Sequence, residues 1–214
     1  MSRSPGRLVA VLILLTLCGW PGIIRAQESF DRLPVHLSEE QQHDVLSGKN
    51  LVQLMPLGTE RLTEVVAVAL IDSAPERLFE VLTDVDKFAE FMPYVKISRA
   101  ERQIDGTIIN HQELGLPFPI TDRQYDVRIT NGIRGDGAQR VWESAWTYVP
   151  GSGNIDETHG AWVLTEHRPG KTLLLYHVLT DPGGLIPRWA YNLAVTQSVP
   201  DLLASIARRA REPR

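Results

Sequence analysis

The sequence predicts an α+β domain in which a curved antiparallel sheet is covered on one face by a long carboxy-terminal helix. Six strand-like runs follow Tyr94 and are separated by short segments rich in Gly, Pro and Asp. Strands joined by such segments form hairpins. An earlier run from Leu62 to Ile71 is rich in Val and Ile, which is typical of a buried strand. Apolar residues then recur at helical spacing from Pro187 towards Arg211, so the sheet has a helix to cover it.

The first 26 residues have the pattern of a secretory signal peptide. Two arginines precede an apolar run from Leu8 to Leu15, which Gly19, Pro21 and Gly22 then break, and Ala26 stands before a polar stretch. We expect cleavage near Ala26 and export, most simply to the periplasm. The uninterrupted run is shorter than the ~20 residues of a spanning helix, which disfavours an uncleaved anchor. A lipoprotein at Cys18 is the weakest alternative, since Leu17 precedes it where a small residue is expected.

Removing this segment changes what the composition says. The whole chain of 214 residues has a formal charge of −4 and one cysteine. The first 26 residues contain three arginines, no acidic residue and the cysteine, so the remaining 188 carry 19 basic and 26 acidic residues, a balance of −7. The body therefore has no disulfide, thiolate metal site or cysteine nucleophile. Its acidity argues against nucleic acid as a partner.

The residues before the first predicted strand, 27 to 61, are expected to form a polar leader and one short helix. Ser38 and Gln41 form a capping box that opens a helix near Ser38–Leu46. Gly48 stands where a left-handed residue ends a helix. Two apolar runs split by residues 57–59 follow, and the second is the strand ending at Ile71.

Two abutting helices are predicted after this strand. Ser73 and Pro75 mark a helix start, and apolar residues from Leu78 to Val85 have helical spacing. A second short helix, Asp86 to Phe91, is expected to stop before the next proline.

The later runs predict six strands: Val95–Ile104, Thr107–Leu114, Arg123–Ile133, Gln139–Val149, His159–His167 and Thr172–Thr180. The terminal helix then runs from Pro187 towards Arg211 with one apolar stripe. Pro200 lies inside it and is expected to kink the helix or divide it in two.

Strand parity points to a candidate pocket. Trp142, Ser144, Trp146 and Tyr148 share one face of their strand, and the neighbouring runs are apolar on both faces. Such strands fit a sheet that is packed on one face and lines a cavity or an edge on the other. The aromatic residues are either ordinary core or the wall of an apolar pocket under the terminal helix. In the second case, the pocket would be lined by some of Trp142, Trp146, Tyr148, Trp162, Leu174, Tyr176, Trp189 and Leu193.

Common catalytic and metal-binding motifs are missing from the sequence. It contains no Gly-x-Ser-x-Gly, phosphate loop, His-Glu-x-x-His or Gly-x-Gly-x-x-Gly, and the six histidines form no pair at metal-ligand spacing. We expect no metal and no cofactor. His111, Glu113 and Glu143 could do acid–base work if they converged on the pocket, but a hydrogen-bonded or solvated strand face is the simpler interpretation.

Two charged features admit a structural and a functional interpretation. Asp122-Arg123 at a strand start is either a local ion pair that anchors the preceding loop or part of a ligand gate. Cations at the end of the terminal helix either complement its dipole or make a weak, transient contact with an anionic membrane surface. The structural interpretation is favoured for these cations, Arg208, Arg209, Arg211 and Arg214.

The segment from Ala74 to Val95, APERLFEVLTDVDKFAEFMPYV, resembles the helix pair of the START-like (SRPBCC) superfamily. It is most similar to the branch of coenzyme Q-binding proteins and polyketide cyclases/dehydrases. Three later pieces agree with this in order and spacing: DRQY at 122–125, GAWVL at 160–164 and DPGGLIPRW at 181–189. The resemblance covers roughly Leu62 to Ala207, within a domain expected to span 62–211.

The resemblance implies a helix-grip fold, in which the sheet wraps around the terminal helix and encloses an apolar cavity. It also implies apolar ligands such as lipids, isoprenoid quinones or polyketides, and it transfers no catalytic residue. We therefore expect an exported, non-enzymatic binding protein for a hydrophobic small molecule. The alternative is a cyclase or dehydrase that acts on a polyketide-like or other apolar substrate in the same cavity.

Overall fold

A computed structural model describes residues 29–56, 62–116, 120–184 and 188–213. In the terminal helix, side chains are described from residue 195 onwards. The predicted signal peptide lies outside the described residues, so its cleavage and the resulting export stay predictions.

Helices and strands follow one another along the chain much as the sequence predicts. Residues 29–31 are helical, and the helices that follow them are α1 Glu39–Leu46, α2 Pro75–Thr83, α3 Phe88–Phe91 and α4 Arg188–Arg211, with a 3₁₀ turn at Val85–Lys87 before α3. The strands are β1 Leu51–Pro56, β2 Thr63–Ile71, β3 Val95–Arg102, β4 Ile108–Leu114, β5 Arg123–Arg134, β6 Val141–Tyr148, β7 Glu157–Arg168 and β8 Lys171–Asp181.

The strands of the described part form one eight-stranded sheet in the order β1-β2-β8-β7-β6-β5-β4-β3. Every pairing is antiparallel, which confirms the hairpin prediction for β3 to β8. The element order predicted from the sequence is wrong in one respect, because two strands, β1 and β2, lie between α1 and α2 where one was predicted. The apolar run at 51–56 adds β1 along the free edge of β2, and this edge pairing was not evident from a six-residue run ending in proline.

The sheet has two apolar faces that belong to separate cores. The inner face, which carries Val65, Ala67 and Ala69 of β2, packs against α2, α3 and α4. The outer face carries Val66 and Val68 of the same strand and belongs to a second cluster. This division follows from the period-two alternation of strand side chains, and it explains why both parities of the sequence are apolar.

Residues 29–46 cover part of the outer face of the sheet. The expectation that residues 27–36 form only a polar leader is therefore corrected for the described residues. Phe30, Leu33, Leu37 and Val45 are buried against the sheet, while the polar residues between them face outwards. Ser29 is also buried, and its carbonyl accepts a 3.0 Å hydrogen bond from the Thr165 hydroxyl. The apolar residues are too widely spaced among polar ones for the segment to read as core from its composition.

Helix α1 confirms the predicted caps. The Ser38 hydroxyl accepts from the Gln41 amide at 3.3 Å, and the Gln41 side chain accepts from the Ser38 amide at 2.8 Å. Gly48 follows the helix end with φ of +94°, a conformation that glycine adopts without a Cβ penalty.

Helix α4 is continuous from Arg188 to Arg211 with Pro200 inside it, so the alternative of two separate helices is wrong. Arg77 of α2 donates to the carbonyls of Arg209 and Ala210, each at 3.3 Å. These are end carbonyls of the kind that a helix leaves without intrahelical partners. No helix within the described residues is long and apolar enough to cross a membrane.

Candidate functional site

A cavity of about 280 Å³ lies between the inner face of the sheet and helix α4. Strands β4 to β8 form its floor, residues 82–95 form one side, and Val195, Ser198, Val199 and Leu202 of α4 form its roof. Its lining is mostly apolar, with hydroxyl and amide groups from Tyr94, Gln112, Tyr125, Ser144, Thr158, Tyr176, Thr180 and Ser198. None of the described lining residues carries a charge at neutral pH.

An aromatic wall, defined here as Trp146, Trp162 and Tyr176, comes from three adjacent strands. The rings of Trp162 and Tyr176 are stacked with centroids 4.4 Å apart, and Trp146 lies 6.1 Å from each of them. Such offset arrangements stabilise a cluster of rings beyond the burial of their area. The wall gives the cavity a broad, rigid apolar surface.

Gly160 makes room for this wall. A Cβ at this position would lie 2.6 Å from the Trp146 ring and 2.2 Å from the carbonyl oxygen of His177. Only a residue without a side chain lets the Trp146 ring lie across β7 towards Tyr176.

Polar groups gather at another part of the cavity, where β4 and β5 pair. The Tyr125 hydroxyl donates to Gln112 Oε1 at 3.2 Å, and Gln112 Nε2 donates to Asn110 Oδ1 at 2.7 Å. Burial raises the pKa of the Tyr125 phenol to about 12, so the phenol stays neutral and keeps its proton at physiological pH.

Tyr94 lies at the rim of the cavity with 39% of its surface exposed. Its φ of +65° is unusual for a bulky residue, and its carbonyl accepts a 2.8 Å hydrogen bond from the Gly115 amide. Such a backbone conformation costs about 1–3 kcal/mol and persists only where the surrounding structure fixes it. The turn after α3 thereby directs an aromatic ring to the edge of the cavity.

The structure brings together three of the residues predicted to line the pocket. Trp146, Trp162 and Tyr176 line the cavity. Trp189 and Leu193 lie in the first part of α4, before residue 195, where side chains are not described. Their part in the lining therefore stays a prediction. Whether any of these residues contacts a ligand is likewise still a prediction.

Trp142, Leu174 and Tyr148 are not among the lining residues, which corrects the expectation for these three. Trp142 and Leu174 are buried on the inner face, at the end that α2 covers through its contacts with β6 and β7. Tyr148 is the half-buried last residue of β6. Parity assigned the face correctly, but it contains no information about which part of that face the helices leave open.

The polar lining residues Gln112 and Tyr125 were not predicted. They are cross-strand partners on β4 and β5, and a pair of polar residues reads as a solvated surface. Parity around the pair offered one usable signal, because Val127 and Ile129 continue the face of Tyr125 with apolar residues.

The residues considered for acid–base chemistry do not converge on the cavity. His111 pairs through Nδ1 with Asp126 at 2.7 Å, and Glu143 pairs with Arg134. His111, Glu113 and Glu143 have the parity opposite to the lining residues Gln112 and Ser144, and none of the three lines the cavity. The proposed constellation of these three residues is therefore wrong.

Other polar features also have structural partners. Asp122 pairs with Lys96 at 2.5 Å and accepts from the Leu116 amide at 3.2 Å, so it anchors the preceding loop but not through Arg123. Buried Arg123 donates to the carbonyls of Thr121 and Pro182, both at 2.7 Å. Within the described residues, no group of three or more His, Cys, Asp or Glu side chains could hold a metal ion.

At the end of helix α4, Arg209 has partners within the protein. Its guanidinium pairs with Glu90 and Glu212, both at 2.7 Å, and lies 5.6 Å from the centre of the Phe91 ring. A membrane contact of the terminal arginines stays a prediction.

Comparison with known proteins assigns the family. Residues 71–207 match the family described as polyketide cyclase / dehydrase and lipid transport. The chain belongs to this family, and its architecture is the START-like helix-grip fold. This confirms the superfamily and fold predicted from the sequence.

Relatives in Rattus norvegicus and Pseudomonas aeruginosa are similar in sequence to the chain. The phosphatidylcholine transfer protein of Rattus norvegicus is 25% identical over 171 residues, covering 76% of this chain and 79% of the relative. An uncharacterized protein of Pseudomonas aeruginosa is 31% identical over 92 residues, which cover 41% of this chain and 46% of its own length. The chain therefore matches less than half of the length of this bacterial relative.

Solved structures show the same fold at lower identity. A STAR-related lipid transfer protein from Xanthomonas axonopodis superposes with a TM-score of 0.66 at 22% identity, covering 76% of this chain and 94% of that chain. The ZhuI aromatase/cyclase from Streptomyces sp. R1128 gives 0.54 at 14% identity, covering 70% and 93%. Both structures support the fold.

Proposed function

We propose that this protein is exported and binds a hydrophobic small molecule in the cavity under helix α4, without transforming it. The observation that carries the proposal is the cavity itself, since it is about 280 Å³ in volume and its described lining is mostly apolar and uncharged. Each Å² of apolar ligand surface removed from water gains about 25 cal/mol. A ligand can therefore be held mainly by burial, with few directional contacts.

The comparisons support this class of ligand. The family description includes lipid transport, and one relative that aligns over most of its length transfers phosphatidylcholine. The cavity volume is at the lower limit of the ~300–1,000 Å³ of typical small-molecule sites. This size favours a single-chain lipid, an isoprenoid or a small ring system over a complete diacyl phospholipid.

A cyclase or dehydrase in the same cavity is the second candidate, because the family description and an aromatase/cyclase of the same fold include such enzymes. Its acid–base groups would have to come from the polar lining around Tyr125. Incubating the protein with a bound apolar ligand and recovering it chemically unchanged would favour the binding protein. Recovery of a dehydrated or cyclised product would favour the enzyme.

Binding is tested by native mass spectrometry of the delipidated body, residues 27–214, after incubation with a total lipid extract. We expect one apolar species bound at a stoichiometry of one. Val178 lines the cavity and Leu179 lies next to it on the other face of β8. Val178→Phe should reduce ligand occupancy at least tenfold, because the added ring atoms occupy the cavity, whereas Leu179→Phe should leave occupancy unchanged.

The result that would overturn the proposal is an absence of bound ligand in the wild-type body. Equal loss of occupancy in both variants would show that the effect comes from general destabilisation of β8 and not from filling the cavity.

Export is tested separately by cell fractionation and intact mass. We expect the full-length chain to accumulate outside the cytoplasm with its amino terminus at Gln27, because the first 26 residues have the pattern of a cleaved signal. Leu12→Arg places a charge in the apolar run and should retain the uncleaved chain in the cytoplasm. Cytoplasmic accumulation of the wild-type chain would contradict export without affecting the binding proposal.

A further inference from the structure

A continuous chain of hydrogen bonds leads from the backbone of residue 85 into the cavity. The Ser98 hydroxyl donates to the Val85 carbonyl at 2.6 Å, and Asn110 Nδ2 donates to Ser98 Oγ at 3.0 Å. Gln112 Nε2 donates to Asn110 Oδ1 at 2.7 Å, and the Tyr125 hydroxyl donates to Gln112 Oε1 at 3.2 Å. Gln112 and Tyr125 line the cavity, so the chain ends at its wall.

The Val85 carbonyl, at which this series of hydrogen bonds begins, fixes the direction of every bond in it. A backbone carbonyl can only accept, so Ser98 must donate its proton to Val85 and accept from Asn110. This orients the Asn110 amide, and a 3.1 Å bond from Asn110 Nδ2 to the Arg99 carbonyl imposes the same orientation independently. The Asn110 oxygen then faces Gln112, and the Gln112 oxygen faces Tyr125.

The consequence falls on Tyr125. Its only proton is committed to Gln112, and its phenol oxygen is left with a lone pair, which makes it a hydrogen-bond acceptor at the cavity wall. Asn110 is completely buried and Ser98 is 7% exposed, so neither amide nor hydroxyl can be reoriented by exchanging partners with water. The buried part of the network, from the Val85 carbonyl to Asn110, therefore keeps one orientation.

The charge of the cavity limits what can meet this acceptor. No described lining residue is ionised at neutral pH, and an ionised ligand group would lose its hydration without gaining a counter-charge. A carbonyl or ether oxygen would place a second acceptor against the phenol oxygen. A neutral hydroxyl can donate to Tyr125 and also accept from the second N–H of Gln112.

We propose that the cavity selects an uncharged amphipathic molecule with a hydroxyl group, which donates a hydrogen bond to the phenol oxygen of Tyr125 while the apolar body lies along the aromatic wall. This inference rests on the proposed function as an apolar-ligand binder and adds the chemical class of the ligand. Tyr125 is a ligand-binding residue in this scheme, and Gln112 and Asn110 are positioning residues.

The test compares farnesol with farnesyl methyl ether, which has the same carbon chain but cannot donate a hydrogen bond. Affinities are measured by tryptophan fluorescence, since Trp146 and Trp162 line the cavity. We expect the body, residues 27–214, to bind the alcohol about tenfold more tightly than the ether, the ratio given by one net hydrogen bond.

Two variants assign this preference to Tyr125. Tyr125→Phe removes the acceptor and should bring the two affinities within about twofold of each other. Tyr148→Phe is the matched control, because it deletes a tyrosine hydroxyl on β6 outside the cavity lining and should keep the preference. Thermal unfolding of both variants establishes that they are folded.

Gln112→Leu tests the direction of the hydrogen bond between Tyr125 and Gln112. The variant frees the Tyr125 proton, so the phenol can donate to the ether oxygen, and the ether should bind more tightly than it does to the wild-type protein. A merely structural role for Gln112 would weaken both probes or leave both unchanged.

The outcomes separate this inference from the proposed function. If neither probe binds the wild-type protein, the proposed function fails for this ligand class and the inference fails with it. If both probes bind equally well, the protein is an apolar-ligand binder but the selection of a hydroxyl group is refuted. Retention of the tenfold preference in Tyr125→Phe would also refute it.

Discussion

The two ends of the inner sheet face differ in packing although they share the same alternation of residues. At one end, Leu164 and Leu174 pair across β7 and β8 and are completely buried in the core cluster that also contains Leu78 of helix α2. At the other end, Val178 of β8 lines a cavity of about 280 Å³. The difference teaches that the strands determine which side chains face the helices, whereas the helices determine whether the space above them is filled.

The first prediction uses one strand to compare the filled end with the open end. Leu174→Ala should lower the free energy of unfolding by about 2–5 kcal/mol, because it leaves a new void in a close-packed region. Val178→Ala should cost only about 1–2 kcal/mol, since it removes two methyl groups beside existing space. Urea unfolding of both variants measures the difference, and equal costs would show that the two ends are packed alike.

The second prediction concerns the glycine that seats the aromatic wall. Gly160→Ala should lower the free energy of unfolding by about 1–3 kcal/mol, because the new methyl group meets a backbone carbonyl and the Trp146 ring. It should also change the near-ultraviolet circular dichroism of the tryptophans.

Gly132→Ala on β5 is the control, since a Cβ there has no atom within 4 Å. Its free energy of unfolding should not fall, because alanine removes some of the conformational freedom of the unfolded chain. Equal destabilisation at the two glycines would contradict the assigned role of Gly160.

The third prediction adds volume in place of removing it. Val178→Phe should change the free energy of unfolding by less than about 1 kcal/mol, because the ring enters the cavity, whereas Leu174→Phe should cost about 1–3 kcal/mol through overpacking. Thermal unfolding without ligand provides the measurement. A larger cost at Val178 than at Leu174 would mean that the cavity cannot accept a side chain.

The smallest expected effect extends the comparison to the outer face. The His167 ring lies beneath residues 29–46 with Nδ1 3.1 Å from the Ser29 hydroxyl. Burial lowers its pKa below the ordinary 6.5, and the nearby cations Arg168, Lys171 and Arg32 lower it further. The folded state therefore binds the proton less readily than the unfolded state does.

The stability that depends on neutral His167 is fully present above pH 6.5. It is lost as the pH falls from 6.5 through the lower pKa of the folded state, with no further change below that. Because the ring is partly exposed, solvent screens this effect and it should be smaller than those above. The difference in urea unfolding between wild type and His167→Asn, followed from pH 8 to pH 4, should show this slope. A pH-independent difference would contradict it.

The fold was largely predictable because its signals are local. Hairpin turns, the capping box at Ser38 and the apolar stripe of α4 each depend on residues close in the chain. Strand β1 was missed because its pairing with β2 is a tertiary contact of a short run. The cover formed by Phe30 and Leu33 was missed for the same reason, since both residues are buried by strands more than 30 residues away.

The candidate site was predictable only in part. Alternation placed Trp146, Trp162 and Tyr176 on one face of adjacent strands, and they meet because β6, β7 and β8 are neighbours. The same alternation also selected Trp142 and Leu174, which are buried in the filled core that α2 shares. Gln112 and Tyr125 are polar residues of an edge-side hairpin, and only their burial under the helices turns them into part of a cavity.

By itself, the sequence determined the order of strands and helices apart from β1, the family, and an acidic body without cysteine, because these follow from local patterning and composition. The tertiary structure decided where the inner face is filled and where it is open, because this depends on how the helices lie across the sheet. It also decided the direction of the hydrogen bonds that end at Tyr125. That direction begins at the Val85 carbonyl, which residues distant in the chain reach only when the sheet and helices are assembled.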